Sequence, residues 1–344
     1  MVAPGQECTE WNTMPMISLN LLDPGINSAA QNISPALTVL IAEGHILDTT
    51  AVYLLVIAAL YLGFHPRHGI RLAVLFGITA GINEALKLVF HLPRPYWVSN
   101  AVKAYAAHSS FGFPSGAAMG SFVMYGYIAH VVRRWWVIVI CGILFAWTIL
   151  ARIFAGVHFL LDIVGGLLFG SLILILSLQA FPKIESWAGG LSVRARILGI
   201  FFVSLFPLIV VIPAYFALAG WQVPLSWVVT AMEQTGQVLN PAYIGYAWTA
   251  TGILLGSLLG YQCLLMRGGW SPPASLVRRC IVVAVGMKSI LIMDAWFPEI
   301  LQIPGLAPFP PELCDLVSMT LICFWLMACI PLIARWAGFA GTDG

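Results

Sequence analysis

Three short clusters between Lys87 and Asp162 hold residues that an otherwise apolar chain keeps only for a reason. The first is Lys87 with Arg94-Pro95 seven residues on; the second is Pro114-Ser115-Gly116; the third is Arg152, then His158, then Asp162. Three cations, a glycine-containing helix start and an imidazole four residues from a carboxylate form a set suited to holding a phosphate and attacking it. Lysine offers a point charge, whereas a guanidinium can bond two phosphate oxygens at once. Pro93 and Pro95 predict that the helix carrying Lys87 stops before Arg94 and that the chain turns Arg94 back over the site. Ser115 reads as an N-cap, and free N–H groups at a helix start attract phosphate oxygens. On a helix, His158 and Asp162 share one face. Asp162 then accepts the proton of one ring nitrogen and leaves the other to attack phosphorus. Arg152 is placed to neutralise the equatorial oxygens of a phosphoryl group in transfer. Glu84, one turn before Lys87, reads as a charge partner rather than an acid catalyst. Taken singly, the basic residues could snorkel to an interface and Ser115 could be an ordinary cap. Paired ionisable groups inside a membrane are functional candidates by default.

The elements that position these clusters follow from composition. The 344 residues are 60% hydrophobic and 9% charged, with a mean hydropathy of +0.92, which excludes a soluble globular domain. A net charge of +2 gives no footprint for nucleic acid. The fold class is all-α, a polytopic transmembrane helical bundle. A hydrocarbon core takes about 20 apolar residues per helix, and on that rule nine spans are expected. They cover 49–65, 69–91, 115–132, 135–153, 160–181, 197–219, 242–265, 277–297 and 313–337. The chain divides into an extracytoplasmic or interfacial segment over 1–48, a catalytic membrane core over 49–181 and additional helices over 197–337 with no motif of their own. Within the first segment, residues 35–45 are expected to lie along the interface as a short amphipathic helix, with no span before residue 49. No Lys or Arg precedes Arg67, so a cleaved signal peptide is not expected. The seven cysteines form no spaced framework. In the eighth span, Lys288 and Asp294 fall on different faces. Packing on the catalytic half and a homodimer face are both open roles for the trailing helices.

Basic residues test the topology independently. Arg67, Arg71, Arg133, Arg134, Lys183, Arg194, Arg196, Arg267, Arg278, Arg279 and Arg335 all fall on one side if nine helices alternate. That side is then cytoplasmic, as is the C-terminus. The N-terminus, the 92–114 loop and the turn at 153–158 lie outside, where Arg94, Lys103 and Arg152 are the only bases. Positive charge on that side needs another purpose, and binding an anion supplies one. The reading is a multi-pass protein of the bacterial inner membrane with an extracytoplasmic site.

The three clusters in this order resemble the tripartite signature of the type 2 phosphatidic acid phosphatase superfamily. That superfamily includes lipid phosphate phosphatases, bacterial undecaprenyl pyrophosphate phosphatases, glucose-6-phosphatases and vanadium haloperoxidases. The resemblance implies that His158 is a nucleophile forming a phosphohistidine, that Asp162 orients it, and that Lys87, Arg94, Ser115, Gly116 and Arg152 cradle the phosphate, without metal or cofactor. Two departures stand out. The third cluster opens Ala151-Arg152 where the family has Ser-Arg. The second reads Pro114-Ser115-Gly116-Ala117 where the family has Pro-Ser-Gly-His, so Ala117 occupies the position of the general acid that protonates the leaving oxygen, a role worth about 10²–10⁴-fold in rate. The chain is accordingly expected to be inactive or weakened, unless His108 or water supplies the proton. The resemblance implies a phosphomonoester or pyrophosphate of a lipid or polyprenol as substrate. The Arg94-Pro95-Tyr96-Trp97 run and the span count also resemble glucose-6-phosphatases, and some relatives transfer a phospho-headgroup instead. A phosphate-binding sensor or a transporter is the non-enzyme alternative.

Overall fold

A computed structural model describes residues 22–301 and 310–339; the reading of residues 1–21 therefore lies outside the described part. Every regular element among the described residues is a helix. The N-terminal part holds α1 (Pro24–Ile33), α2 (Pro35–Ala42), a 3₁₀ turn (Glu43–Asp48) and α3 (Thr50–Gly63). The core continues with α4 (Pro66–Phe90), the short α5 (Pro95–Val98), α6 (Gly116–Val132), α7 (Trp135–Phe154) and α8 (Leu160–Gly189). The trailing part comprises α9 (Val193–Ser204), α10 (Phe206–Ala217), α11 (Leu225–Thr235), α12 (Gly245–Met266), α13 (Leu276–Leu301), α14 (Pro311–Phe324), a π-helical turn (Trp325–Cys329) and α15 (Ile330–Trp336).

Each of the nine expected spans falls on helix, but among the described residues seven stretches are long and apolar enough to cross a membrane by themselves. Helix α6 stops at 17 residues, and α3 at 14. The α2 and 3₁₀ stretch, bent by 58° against α3, passes the same test only together with it. Two expectations are corrected here. The segment from Pro35 is helical, but Leu37, Val39 and Leu40 are exposed around it, so it is apolar on most sides rather than amphipathic. Helix α8 runs through Pro182 to Gly189, well past the end expected at 181. Pro182 costs one backbone bond in the helix interior, and the chain breaks instead at Gly190–Ser192.

Helices α4 and α8 run antiparallel. At one end, Arg71 donates from Nε to Glu185 Oε1 at 2.6 Å and from Nη2 to Oε2 at 2.7 Å, and Arg67 Nε donates to Oε2 at 2.8 Å. At the other end lie Lys87 on α4 and Asp162 on α8. The 23 residues from Asp162 to Glu185 span about 35 Å at 1.5 Å per residue, slightly more than a hydrocarbon core of about 30 Å. Helix α6 packs against α8 at Gly166, where a Cβ would sit 2.7 Å from Ser115 O and 2.9 Å from Ala118 Cβ; only glycine permits that approach. In the trailing part, α12 lies against α14 along Gly252, Gly256 and Gly260. Lys288 lies on an exposed face of α13.

Candidate active site

Helix α4 ends where the prolines predicted. His91 takes a left-handed conformation (φ 37°), its N–H bonds to Lys87 O at 2.8 Å, and Leu92-Pro93 leads the chain across the bundle end. Arg94 then turns inward and is 2% exposed. Its guanidinium donates from Nε to Ser110 O (2.7 Å), from Nη1 to Val157 O (2.9 Å), and from Nη2 to Ser110 Oγ (3.0 Å) and Phe111 O (3.2 Å). Nη1 also lies 3.3 Å from His158 Nε2. Lys87 Nζ donates to the same Ser110 Oγ at 3.0 Å. Two buried cations thus share one hydroxyl, and among the described residues neither has a carboxylate within ion-pair distance. Glu84 is buried nearby and shares their field, but it forms no ion pair and its Oε1 has no hydrogen-bond partner.

His158 and Asp162 meet, though not on a helical face. Helix α8 begins at Leu160, so His158 stands before it and Asp162 occupies the third position of its first turn. Asp162 Oδ2 accepts the backbone N–H of Phe159 at 2.9 Å, in the manner of the acidic half of a capping box. The same oxygen lies 3.1 Å from His158 Nδ1. A guanidinium can only donate, so Arg94 Nη1 requires a lone pair on Nε2 and the neutral ring carries its proton on Nδ1, toward Asp162. Burial, and then the charges of Arg94, Arg152 and Lys87 and the neighbouring His108, push His158 well below the ordinary imidazole value of 6.5. The ring is thereby kept neutral with its Nε2 lone pair facing the cations, the form a nucleophile requires.

Arg152 comes from the last turn of α7 and is 3% exposed. Nη2 is ion-paired with Asp48 and donates to His45 O at 3.2 Å, while Nη1 is 3.3 Å from His108 Nε2. Its Nε is buried without a partner. A buried donor of a charged group left unmade costs several kcal/mol, and an acceptor entering the site would remove that cost.

Ser115 caps α6 by accepting Ala118 N–H at 3.3 Å. Its own N–H is spent on Asp162 O at 2.8 Å, which binds the second cluster to the third. The helix-start N–H groups to which no backbone acceptor is bonded are those of Gly116 and Ala117. Gly116 is required by space, because a Cβ there would sit 2.8 Å from Asn83 Oδ1. Asn83 in turn donates to Pro114 O at 3.1 Å.

The structure therefore brings Lys87, Arg94, Ser115, Gly116, Ala117, Arg152, His158 and Asp162 to one end of the bundle. It also shows residues that spacing could not reveal. Asn27 on α1 is 1% exposed and donates from Nδ2 to Ile153 O (2.9 Å) and His158 O (3.0 Å). Gln31 joins Lys103 and Phe154 by three bonds of 2.8–2.9 Å. From the trailing part, Gln234 accepts Ala104 N–H at 2.9 Å and donates to Tyr96 O and Ser99 O. The Tyr96 hydroxyl donates to His108 O at 2.7 Å and accepts His108 N–H at 2.9 Å. Ser110 and Asp48 are short polar residues in loop or turn, with no pattern in the sequence to mark them.

Comparison with known proteins agrees with this geometry. The PAP2 superfamily pattern matches residues 68–186, and that of the PAP2 superfamily phosphatase transmembrane extension matches residues 248–342. Together the two ranges take in well over half of the chain. Phosphatidylglycerophosphatase B of Bacillus subtilis (strain 168) is 28% identical over 117 residues, which is 31% of this chain and 55% of that protein. The chain thus matches about half the length of that curated relative. No solved structure matches. The three clusters lie within the first matched range and the trailing helices within the second, so the chain belongs to the PAP2 superfamily and is a multi-pass membrane protein that carries that family's transmembrane extension.

Proposed function

We propose that this chain is a membrane phosphatase that cleaves a lipid phosphomonoester on the extracytoplasmic side through a phosphohistidine at His158. One observation carries the reading: Lys87 and Arg94 are buried side by side without a carboxylate at ion-pair distance, next to the Nε2 lone pair of His158, which faces Arg94, and the unused Nε of Arg152. Buried cations left unpaired are expensive, and a phosphate dianion satisfies them. His158 Nε2 attacks phosphorus, the bond to the ester oxygen breaks, and Asp162 stabilises the ring as it becomes cationic. Water then cleaves the P–N bond and releases phosphate. Three side-chain cations and the N–H groups of Gly116 and Ala117 supply the charge neutralisation, so the reaction proceeds without a metal and survives EDTA.

A lipid substrate is favoured by two observations. The curated relative is by its name a phosphatase of a phosphorylated glycerolipid. Phe90, 40% exposed at the end of α4, begins an edge-to-face row with Phe113 and Phe169 that leads inward beside Ser115, an apolar wall suited to an acyl chain. The basic ends of the helices, at Arg67, Arg71 and Lys183, support a cytoplasmic position for the opposite side.

Ala117 contributes only a methyl group where the family has its acid, so the proton for the leaving oxygen comes from another group. Incubation with a ³²P-labelled phosphatidate and rapid acid-free quenching should trap label on His158. His158→Ala should carry none. Label retained in His158→Ala would exclude the phosphohistidine.

A further inference from the structure

We propose that His108 donates the proton to the leaving oxygen in this chain, taking the task that a histidine at position 117 would perform. The inference rests on the phosphatase reading given above and names the residue that completes it.

Two guanidinium groups set the geometry. Arg94 Nη1 lies 3.3 Å from His158 Nε2, and Arg152 Nη1 lies 3.3 Å from His108 Nε2. Each arginine therefore touches a different imidazole, and both rings turn Nε2 toward the cations. A phosphoryl group held jointly by the two arginines lies between the rings, with the nucleophilic Nε2 on one side and His108 Nε2 on the other. In-line displacement places attacking and leaving atoms on opposite sides of phosphorus, so the leaving oxygen is delivered to the His108 side.

His108 is also held as a catalytic group must be. The Tyr96 hydroxyl bonds both its backbone N–H and its backbone carbonyl, and Gln234 fixes Tyr96 through its own carbonyl. An unbound loop histidine would have no need of such a double clamp. Burial, and then Arg94, Lys87 and His45, hold the His108 ring below its ordinary value. A phosphomonoester reverses this local balance. With a second pKa near 6, it brings either the proton itself or the negative charge that draws one from solvent onto Nε2.

The steps balance. As the bond from phosphorus to the ester oxygen breaks, its electron pair goes to that oxygen, which takes the proton from His108 Nε2 and leaves as an alcohol. Neutral His108 then takes a proton from the water that attacks phosphohistidine; the P–N bond breaks with its electrons returning to His158, and inorganic phosphate departs. His108 gives that proton up to the departing phosphate or to solvent, and the next ester restores it.

The test compares benzyl phosphate with p-nitrophenyl phosphate, esters of similar size. The first must release an alkoxide-like oxygen and needs a proton; the second releases a stabilised phenolate and needs little help. Four full-length forms are assayed in detergent: the chain as it is, His108→Gln, Ala117→His and the double variant. The expected result is that His108→Gln lowers kcat for benzyl phosphate by about 10²–10³-fold and for p-nitrophenyl phosphate by less than about tenfold, and that Ala117→His restores benzyl phosphate turnover in the His108→Gln background. Equal losses on the two esters would make His108 a structural residue and overturn the proposal. So would an unchanged rate on benzyl phosphate, or a double variant that stays inactive while Ala117→His alone is active. If no form releases phosphate from p-nitrophenyl phosphate, the phosphatase reading itself fails and this inference with it, an outcome distinct from a selective loss on the benzyl ester.

Discussion

At His158 the bonds on both ring nitrogens decide the chemistry. Asp162 accepts from one and Arg94 donates to the other, so a single neutral tautomer satisfies both partners. Burial, and then the charges of Arg94, Arg152 and Lys87 beside which protonation would place a fourth, hold the ring well below 6.5. The sign of the pH dependence follows. The nucleophile is neutral above its folded value, so the acid limb of kcat/KM, which reports the free enzyme, should have its midpoint below 6.5. Stability has the same sense: the contribution of this group is complete above about 6.5, the value of an unperturbed histidine, and is lost as pH falls toward the depressed folded value. A kcat/KM profile for p-nitrophenyl phosphate from pH 4 to 8 checks this; a midpoint at or above 6.5 would show that the cations do not act on His158. At this scale the sequence was informative, because ionisable residues are rare in an apolar chain and each cluster could be read directly. It was silent where a polar residue is common and local. Ser110, which receives both Lys87 and Arg94, is one serine among several in the 92–114 loop.

Helix boundaries were legible for a different reason from the one the spacing suggested. The four-residue interval between His158 and Asp162 reads as a shared helical face, yet helix α8 starts between them and the contact is made across its first turn. The pairing came out right because a helix start and a helix face both bring such residues within reach. The register of α6 on α8 rests on Gly166, whose missing Cβ admits Ser115 O and Ala118 Cβ. Gly166→Val should force those helices apart, cost at least the ~1–3 kcal/mol of overpacking, and loosen the bond from Ser115 N to Asp162 O. Thermal unfolding in detergent should show a lower midpoint together with lost turnover. Gly142→Val, on α7 where a Cβ would meet nothing within 4 Å, should change neither.

For the whole molecule, hydropathy located every long helix but could not tell a 17-residue helix from a full span, nor foresee that α2 and α3 form a bent pair. Charge placement carries the orientation, and it can be checked directly. In a background with the native cysteines replaced, Lys103→Cys should react with an impermeant maleimide added to intact cells. Lys183→Cys should react only after permeabilisation. Both residues are exposed, so the reverse pattern would invert the topology and move the site to the cytoplasmic side. No residue pattern hints that the segments flanking the core reach into it, because most of their contacts run through carboxamides, which carry no charge and no periodicity.

Those flanking contacts bear on what is inherited and what is built. Asn27, Gln31, Asp48 and Gln234 all lie outside the range shared with the superfamily, 68–186, yet they hold the carbonyls of Ile153 and His158, the backbone of Lys103, the guanidinium of Arg152 and the backbone of Tyr96. The portable part of this protein supplies reactive groups, and the private part supplies their aim. A lineage can therefore retune the site without touching a signature residue, by exchanging one amide in a helix that family comparison passes over.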